Sequence, residues 1–175
     1  MIINNKKFKL LLQASEINRA VEEVAERMNE SLRDENPLFL VVLNGAFMFA
    51  ADLMKKITID CELSFIKVSS YEGTASTSSL KQILGLEENI EGRTIVIIED
   101  IIDTGFTVET IINQLEQKKP AAIQIATLLY KPDAFCKNFS VDYIAKSVPN
   151  EFLVGYGLDY NGRGRNLAAI YIADK

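Results

Sequence analysis

The stretch from Ile95 to Thr107, IVIIEDIIDTGFT, constrains the fold of this chain more than any other. Ile95 to Ile98 make a run of branched aliphatics, the pattern of a short strand buried on both faces of a parallel sheet. Two adjacent carboxylates follow, Glu99 and Asp100, then Ile101 and Ile102, then Asp103-Thr104-Gly105 leading into a helical pattern from Thr107. Polarity changes abruptly where the strand ends. In open α/β sheets, the corner where a strand hands over to a helix is where ligands bind.

The residue types at this corner suit a phosphorylated sugar. Gly105 permits a tight turn and a close backbone approach, and the amides opening the next helix form an anion site. Thr104 and Thr107 add hydroxyl donors. Glu99 and Asp100 repel a phosphate set beside them, but they accept hydrogen bonds from ribose hydroxyls or share a divalent cation. That leaves Asp103 as a lone carboxylate over the reacting centre.

The segment resembles the phosphoribosyl pyrophosphate (PRPP) motif of the type I phosphoribosyltransferases, in the EDIIDTG form of their hypoxanthine-guanine branch. Two other readings compete with it: an acidic strand end before an ordinary turn, and the DTG signature of aspartic proteases. The proteases need two such turns in an all-β setting, and the strand-turn-helix context argues against them.

Composition narrows the chemistry. The chain has no histidine, which excludes Ser-His-Asp and Cys-His triads and a His-ligated zinc site, and leaves a carboxylate, lysine, tyrosine or cysteine as general base. A net charge of −5 argues against nonspecific nucleic-acid binding, which needs a basic footprint. The 175 residues, 48% hydrophobic and 25% charged, fit one domain, 1–175, with a full core. Cys61 and Cys136 lack CxxC spacing and read as free thiols. The polar segment Asn4 to Lys9 is no signal peptide or membrane span, so a cytoplasmic protein is expected.

Along the chain, Ile17, Val21, Val24, Met28 and Leu32 predict an amphipathic helix over 15–32, with Ser15 as its cap and Glu16 in its first turn. Leu38 to Leu43 predicts a central strand, Asn44-Gly45 a corner, and a second helical stretch runs to Lys56. Cys61 to Val68 predicts a strand, followed by a loop rich in Ser, Thr and Gly. Val108, Ile111, Ile112 and Leu115 predict a helix ending near Pro120, and Ile123 to Leu129 the next strand, a right-handed crossover. Val141 to Ala145 reads as a strand, Asn161-Gly162 as a turn, and Leu167 to Ile172 as a final strand closing the sheet.

The resemblance covers almost the whole chain, with its motifs in the family's order. It implies an α/β type I phosphoribosyltransferase fold: a mostly parallel twisted sheet flanked by helices, a small hood from the terminal segments and a flexible loop at about 69–80. It implies binding of ribose phosphate by Glu99, Asp100, Asp103, Thr104, Gly105, Phe106 and Thr107, although many relatives carry lysine where Phe106 stands. Pyrophosphate falls to Asn44, Gly45 and Arg165, with a non-proline cis peptide between Leu43 and Asn44 and a basic residue in many relatives where Asn44 stands. The purine falls to Ile101, Lys131, Phe152, Leu153 and Asp159, where Phe152 stacks on the base and the Lys131 ammonium, a donor only, favours a 6-oxopurine over adenine. Ser70 and Tyr71 match the start of the lid, which excludes water from a cationic sugar intermediate. Mg2+ is the implied cofactor, held near Glu99, Asp100 and Asp159.

The activity implied is transfer of the 5-phosphoribosyl group from PRPP to N9 of hypoxanthine or guanine, with Asp103 as general base, in a homodimer or homotetramer that binds neither nucleic acid nor membrane. The alternative is a regulator on the same fold that senses PRPP without catalysis.

Overall fold

The computed structural model describes residues 1–71 and 80–174, with side chains described for all of these except 69–71 and 80–84. Strands β1 (Ile2–Ile3) and β2 (Lys6–Leu12) precede helix α1 (Ala14–Ser31). Then come β3 (Leu38–Leu43), α2 (Phe47–Met54), β4 (Glu62–Tyr71), β5 (Leu80–Leu84) and β6 (Thr94–Ile102). The chain continues through α3 (Phe106–Glu116), β7 (Ala122–Tyr130), β8 (Tyr143–Ser147), β9 (Leu153–Val154) and β10 (Ile170–Ala173).

Six strands form the main sheet in the order β5-β4-β3-β6-β7-β8. Every pairing is parallel except that of β5, which lies antiparallel on β4 at the edge. The run Leu38 to Leu43 is apolar throughout because both of its faces are covered. Phe39 and Val41 pack with Val21, Val24 and Met28 of α1 and with Phe49 and Leu53 of α2. Leu38, Leu40 and Val42 pack with Val108, Ile111 and Leu115 of α3. Each such side chain, fully removed from water, contributes about 1.5–3 kcal/mol of transfer free energy.

A second, smaller sheet has the order β1-β2-β10-β9. It is antiparallel throughout and encloses Ile3, Phe8 and Val154. The final strand therefore does not close the main sheet, as its apolar run suggested. The N-terminal hairpin, turned at Asn4-Asn5 with both φ angles positive, offers β10 an antiparallel partner outside that sheet. This second layer, built from both ends of the chain, is the expected hood.

Other boundaries differ. Ser15 is not the cap of α1: Gln13 precedes the helix, and its N–H donates to the Glu16 carboxylate at 2.8 Å, so the reciprocal half of a capping box is made from inside the first turn. Strand β4 runs three residues past Val68, and Ser70 and Tyr71 pair with Lys81 and Leu80. The side chains of Ser70 and Tyr71, and residues 72–79, where the lid was expected, lie outside the described residues. Among the described residues, no helix is long and apolar enough to cross a membrane.

Candidate active site

Strand β6 is central, flanked by β3 and β7, and its last four residues carry the acidic pair to the carboxyl end of the sheet. Glu99 is buried, with its Oε2 accepting the Asp100 N–H at 3.3 Å, while Asp100 Oδ1 accepts the Ile101 N–H at 2.8 Å. Burial, with the Asp100 charge beside it, pushes the Glu99 carboxyl well above the usual carboxylate range. Burial likewise pushes Asp100 up to about 6, against the pull of the Ile101 N–H and the Arg165 charge. Removing adjacent carboxyls from water disfavours their anions. Such a pair gains from any ligand that supplies hydroxyl donors or positive charge.

Beyond β6 the backbone turns at Asp103-Thr104-Gly105 into α3. Gly105 is the residue before the helix, at φ +88°, and supplies no side-chain cap. The first amides of α3 are therefore open to an anion. A cavity of about 290 Å³ follows this corner and is lined by residues 99–108. Larger hollows lie at the opposite end of the sheet, lined by residues such as Pro120, Ile123 and Asp142, away from every residue of the acidic corner.

Lys131, the first residue after β7, is buried, and its Nζ donates to Asp103 Oδ2 at 2.9 Å. Its N–H donates to the Ile102 carbonyl at 2.9 Å, which ties the lysine backbone to the neighbouring strand end. A buried ammonium is tolerated only when paired, and Asp103, half-exposed, is that partner and faces the open end.

The corner expected to take pyrophosphate, Asn44-Gly45, follows the neighbouring strand β3. The Leu43–Asn44 peptide is cis, as the resemblance implied. A β-carbon at Gly45 would collide with the Asp100 carboxylate, and one at Gly157 would collide with the Gly45 carbonyl oxygen. The corner is thus packed between the acidic strand end and the hood. There, Arg165 Nη2 pairs with Asp159 Oδ1 at 2.6 Å, its Nη1 donates to the Gly157 carbonyl at 2.6 Å, and Asp159 Oδ2 accepts the Gly162 N–H at 2.7 Å.

Phe152, just before β9, is exposed and packs edge-on against Tyr160 with centroids 5.4 Å apart, while Lys6 Nζ lies 5.0 Å from its ring centre. Leu153 is buried in β9, opposite Ile172. An exposed ring held at a hood edge is available for stacking.

Glu99 and Asp100 are hard oxygen donors, as Mg2+ requires. Among the described residues, however, no three His, Cys, Asp or Glu side chains converge to hold a metal ion. The Asp159 oxygens accept from Arg165 and from the Gly162 N–H, and each keeps a lone pair for a further partner. This donor set fits a Mg2+ that keeps its waters and is carried on substrate phosphates rather than caged by protein.

The fold also supplies residues that the sequence reading did not single out for a role. Phe135 and Lys137 back the Gly105 turn, and Tyr156 Oη donates to Asp52 Oδ2 at 2.6 Å, tying the hood to α2. Tyr156 and Asp52 are 104 residues apart in sequence, and no local pattern joins them.

The phosphoribosyl transferase domain model matches residues 9–161 of the chain. A hypoxanthine-guanine phosphoribosyltransferase of Streptococcus pyogenes is 41% identical over 160 residues, covering 91% of this chain and 89% of that protein. One from Aquifex aeolicus is 38% identical over 174 residues, covering 98% of each. Among solved structures, a hypoxanthine phosphoribosyltransferase of Staphylococcus aureus has a TM-score of 0.88 at 34% identity, covering 98% of this chain and 93% of that one.

Proposed function

The chain belongs to the phosphoribosyl transferase domain family, and from that premise we propose that it transfers the 5-phosphoribosyl group of PRPP to N9 of hypoxanthine or guanine, giving IMP or GMP and pyrophosphate. The relatives named above carry that activity in their names. The observation that carries the reading is the pairing of Lys131 with Asp103 at 2.9 Å, Asp103 being one of the residues 99–108 that line the cavity. It sets a carboxylate and a hydrogen-bond donor side by side where the base meets the sugar.

In the reaction, N9 attacks the anomeric carbon while the bond to pyrophosphate breaks and its electron pair leaves with the anion. The sugar passes through an oxocarbenium-like state. Glu99 and Asp100 accept from the ribose hydroxyls and stabilise that positive charge. The open amides around Thr104 to Thr107 take the 5-phosphate, and Asn44, Gly45 and Arg165 take pyrophosphate. Lys131 donates to the 6-oxo group, Ile101 and Phe152 cover the faces of the purine, and the backbone at Leu153 and the carboxylate of Asp159 meet its edge. Asp103 accepts the proton that the purine loses, at N7. Glu99 and Asp100, with Asp159 nearby, would hold Mg2+, which would supply positive charge to offset that of the departing pyrophosphate.

We also read residues 1–175 as one domain, working as a homodimer or homotetramer in the cytoplasm, with Ser70 and Tyr71 opening a lid. Sedimentation that showed only a monomer would remove the oligomer from this reading.

The test is pyrophosphate release from PRPP with hypoxanthine, guanine, xanthine and adenine in turn, with and without Mg2+. Mg2+-dependent turnover with hypoxanthine and guanine but not adenine is the expected result. PRPP binding without turnover on any base would replace it with a sensing role.

A further inference from the structure

The Gly105 turn has no side chain of its own to hold it, and what backs it comes from the segment after β7. A β-carbon at position 105 would stand 2.8 Å from both Lys137 Cγ and Phe135 Cε2, so the lysine stem and the phenylalanine edge press directly on the glycine. The Cys136 N–H points at the Thr104 carbonyl at 3.4 Å. Lys137 then continues past the turn. Its Nζ sits 3.4 Å from the centre of the Phe106 ring and 2.7 Å from Glu109 Oε2.

This is an unusual place for a lysine head group. The Lys137 side chain is only 11% exposed, whereas Phe106, whose ring it covers, is 53% exposed as a residue. Ordinarily the ammonium stays in water and the ring is buried. Here the cation is held by a carboxylate on one side and an aromatic face on the other, the two partners that make its desolvation tolerable. Both partners belong to the first turn of α3, Phe106 at its first residue and Glu109 one turn on. Lys137 and Glu109 cancel in charge, so the pair adds little net potential to the anion site. What it adds is position: a clamp on the residue whose amide opens the helix.

We infer that Lys137 is a positioning residue for sugar-phosphate binding, acting through Phe106 to hold the 104–107 turn in the shape that receives the 5-phosphate of PRPP. The inference rests on the phosphoribosyltransferase reading above. A fixed turn keeps its amides aimed at the anion before it arrives, so the cost of ordering them is not drawn from binding. Lys137 touches neither the base nor the anomeric carbon in this arrangement, so its loss weakens PRPP binding and leaves the chemical step alone.

The experiment uses the full chain with Mg2+. PRPP affinity is measured by calorimetry in the absence of purine, and KM and kcat by steady-state turnover with hypoxanthine. Lys137→Met, which keeps the stem against Gly105 and removes the charge, is expected to weaken PRPP binding and raise its KM by about tenfold, the scale of a desolvated cation–π contact, with kcat within about twofold. Lys137→Arg keeps charge and ring stacking, so it should restore affinity to within about twofold. Phe106→Leu should show a similar loss, and adding Lys137→Met to it should cost little more, because the second residue works through the first.

Unchanged PRPP affinity in Lys137→Met beside an active wild type overturns the role of Lys137 alone. Fully additive losses in the double variant overturn its action through Phe106. A wild type that neither binds PRPP nor releases pyrophosphate overturns the inference together with the reading on which it rests.

Discussion

Lys131 Nζ lies 2.9 Å from Asp103 Oδ2, joining a buried ammonium on the β7 end to a half-exposed carboxylate on the β6 corner. The pairing gives Asp103 two tasks. It compensates the buried lysine, and in the proposed reaction it is the carboxylate that takes the proton of the base. Asp103→Asn keeps the shape of the side chain but removes the proton acceptor, so kcat is expected to fall about 10²-fold or more, the usual contribution of a positioned base. Steady-state kinetics with hypoxanthine measures it. A variant that kept nearly full kcat would remove Asp103 from the base role.

Glu99 predicts a stability cost that function imposes. Its carboxyl is pushed well above the usual range by burial and by Asp100, so the fold favours the neutral form. The unfolded chain gives up that proton near its ordinary value of about 4.3. Between there and the folded value, rising pH therefore favours unfolding. Glu99→Gln removes the ionisation, so without PRPP its Tm should exceed that of the wild type at pH 7 and match it near pH 4, while turnover drops. Thermal unfolding at the two pH values tests this, and a variant less stable at pH 7 would contradict it.

Much of this site can be read from the sequence because it sits on continuous signals. The apolar runs of β3 and β6 need two covered faces, and the polarity change after Ile98 marks the corner. The hood was harder. Lys6, Lys7 and Lys9 surround Phe8 in β2, which buries Phe8 alone with little help from its neighbours, so it reads as a polar segment until β10 pairs with it. The cap of α1 was misplaced because Ser15 is a good cap by type, whereas Glu16 reaches back to Gln13 instead. Lys137 gave no signal at all: its partners, Phe106 and Glu109, are near it only once β7 has crossed back to the corner.

The Asp52–Tyr156 contact predicts an acid-sensitive link between hood and core. Burial opposes the Asp52 anion, but the hydrogen bonds from Lys55 and Tyr156 outweigh it and hold the carboxyl below its ordinary value. Stability from this group is complete above the unfolded value near 4 and is lost as pH falls through the lower folded value. Asp52→Asn should lose on the order of 1 kcal/mol at pH 7, the scale of a hydrogen bond to a charged group. Denaturant titration should show the gap to wild type closing on acidification. A gap that stayed constant below pH 4 would mean that the charge of Asp52 is not what matters.

Gly45 ties the corner after β3 to the acidic strand by close approach alone, since its φ is not positive. Its Cα faces the Asp100 carboxylate, with the Gly157 backbone against its carbonyl, leaving no room for a methyl group. Gly45→Ala must therefore displace the corner, the Asp100 side chain or both, at about 1–3 kcal/mol as for an overpacked core. PRPP binding should weaken along with stability, because the displaced groups are those proposed to meet ribose and pyrophosphate. If the clash with Asp100 is the cause, shortening that side chain should relieve it. The Gly45→Ala, Asp100→Ala double variant is then more stable than the sum of the two single changes implies, while remaining inactive. Additive losses in chemical denaturation would place the strain of Gly45→Ala elsewhere, against the hood.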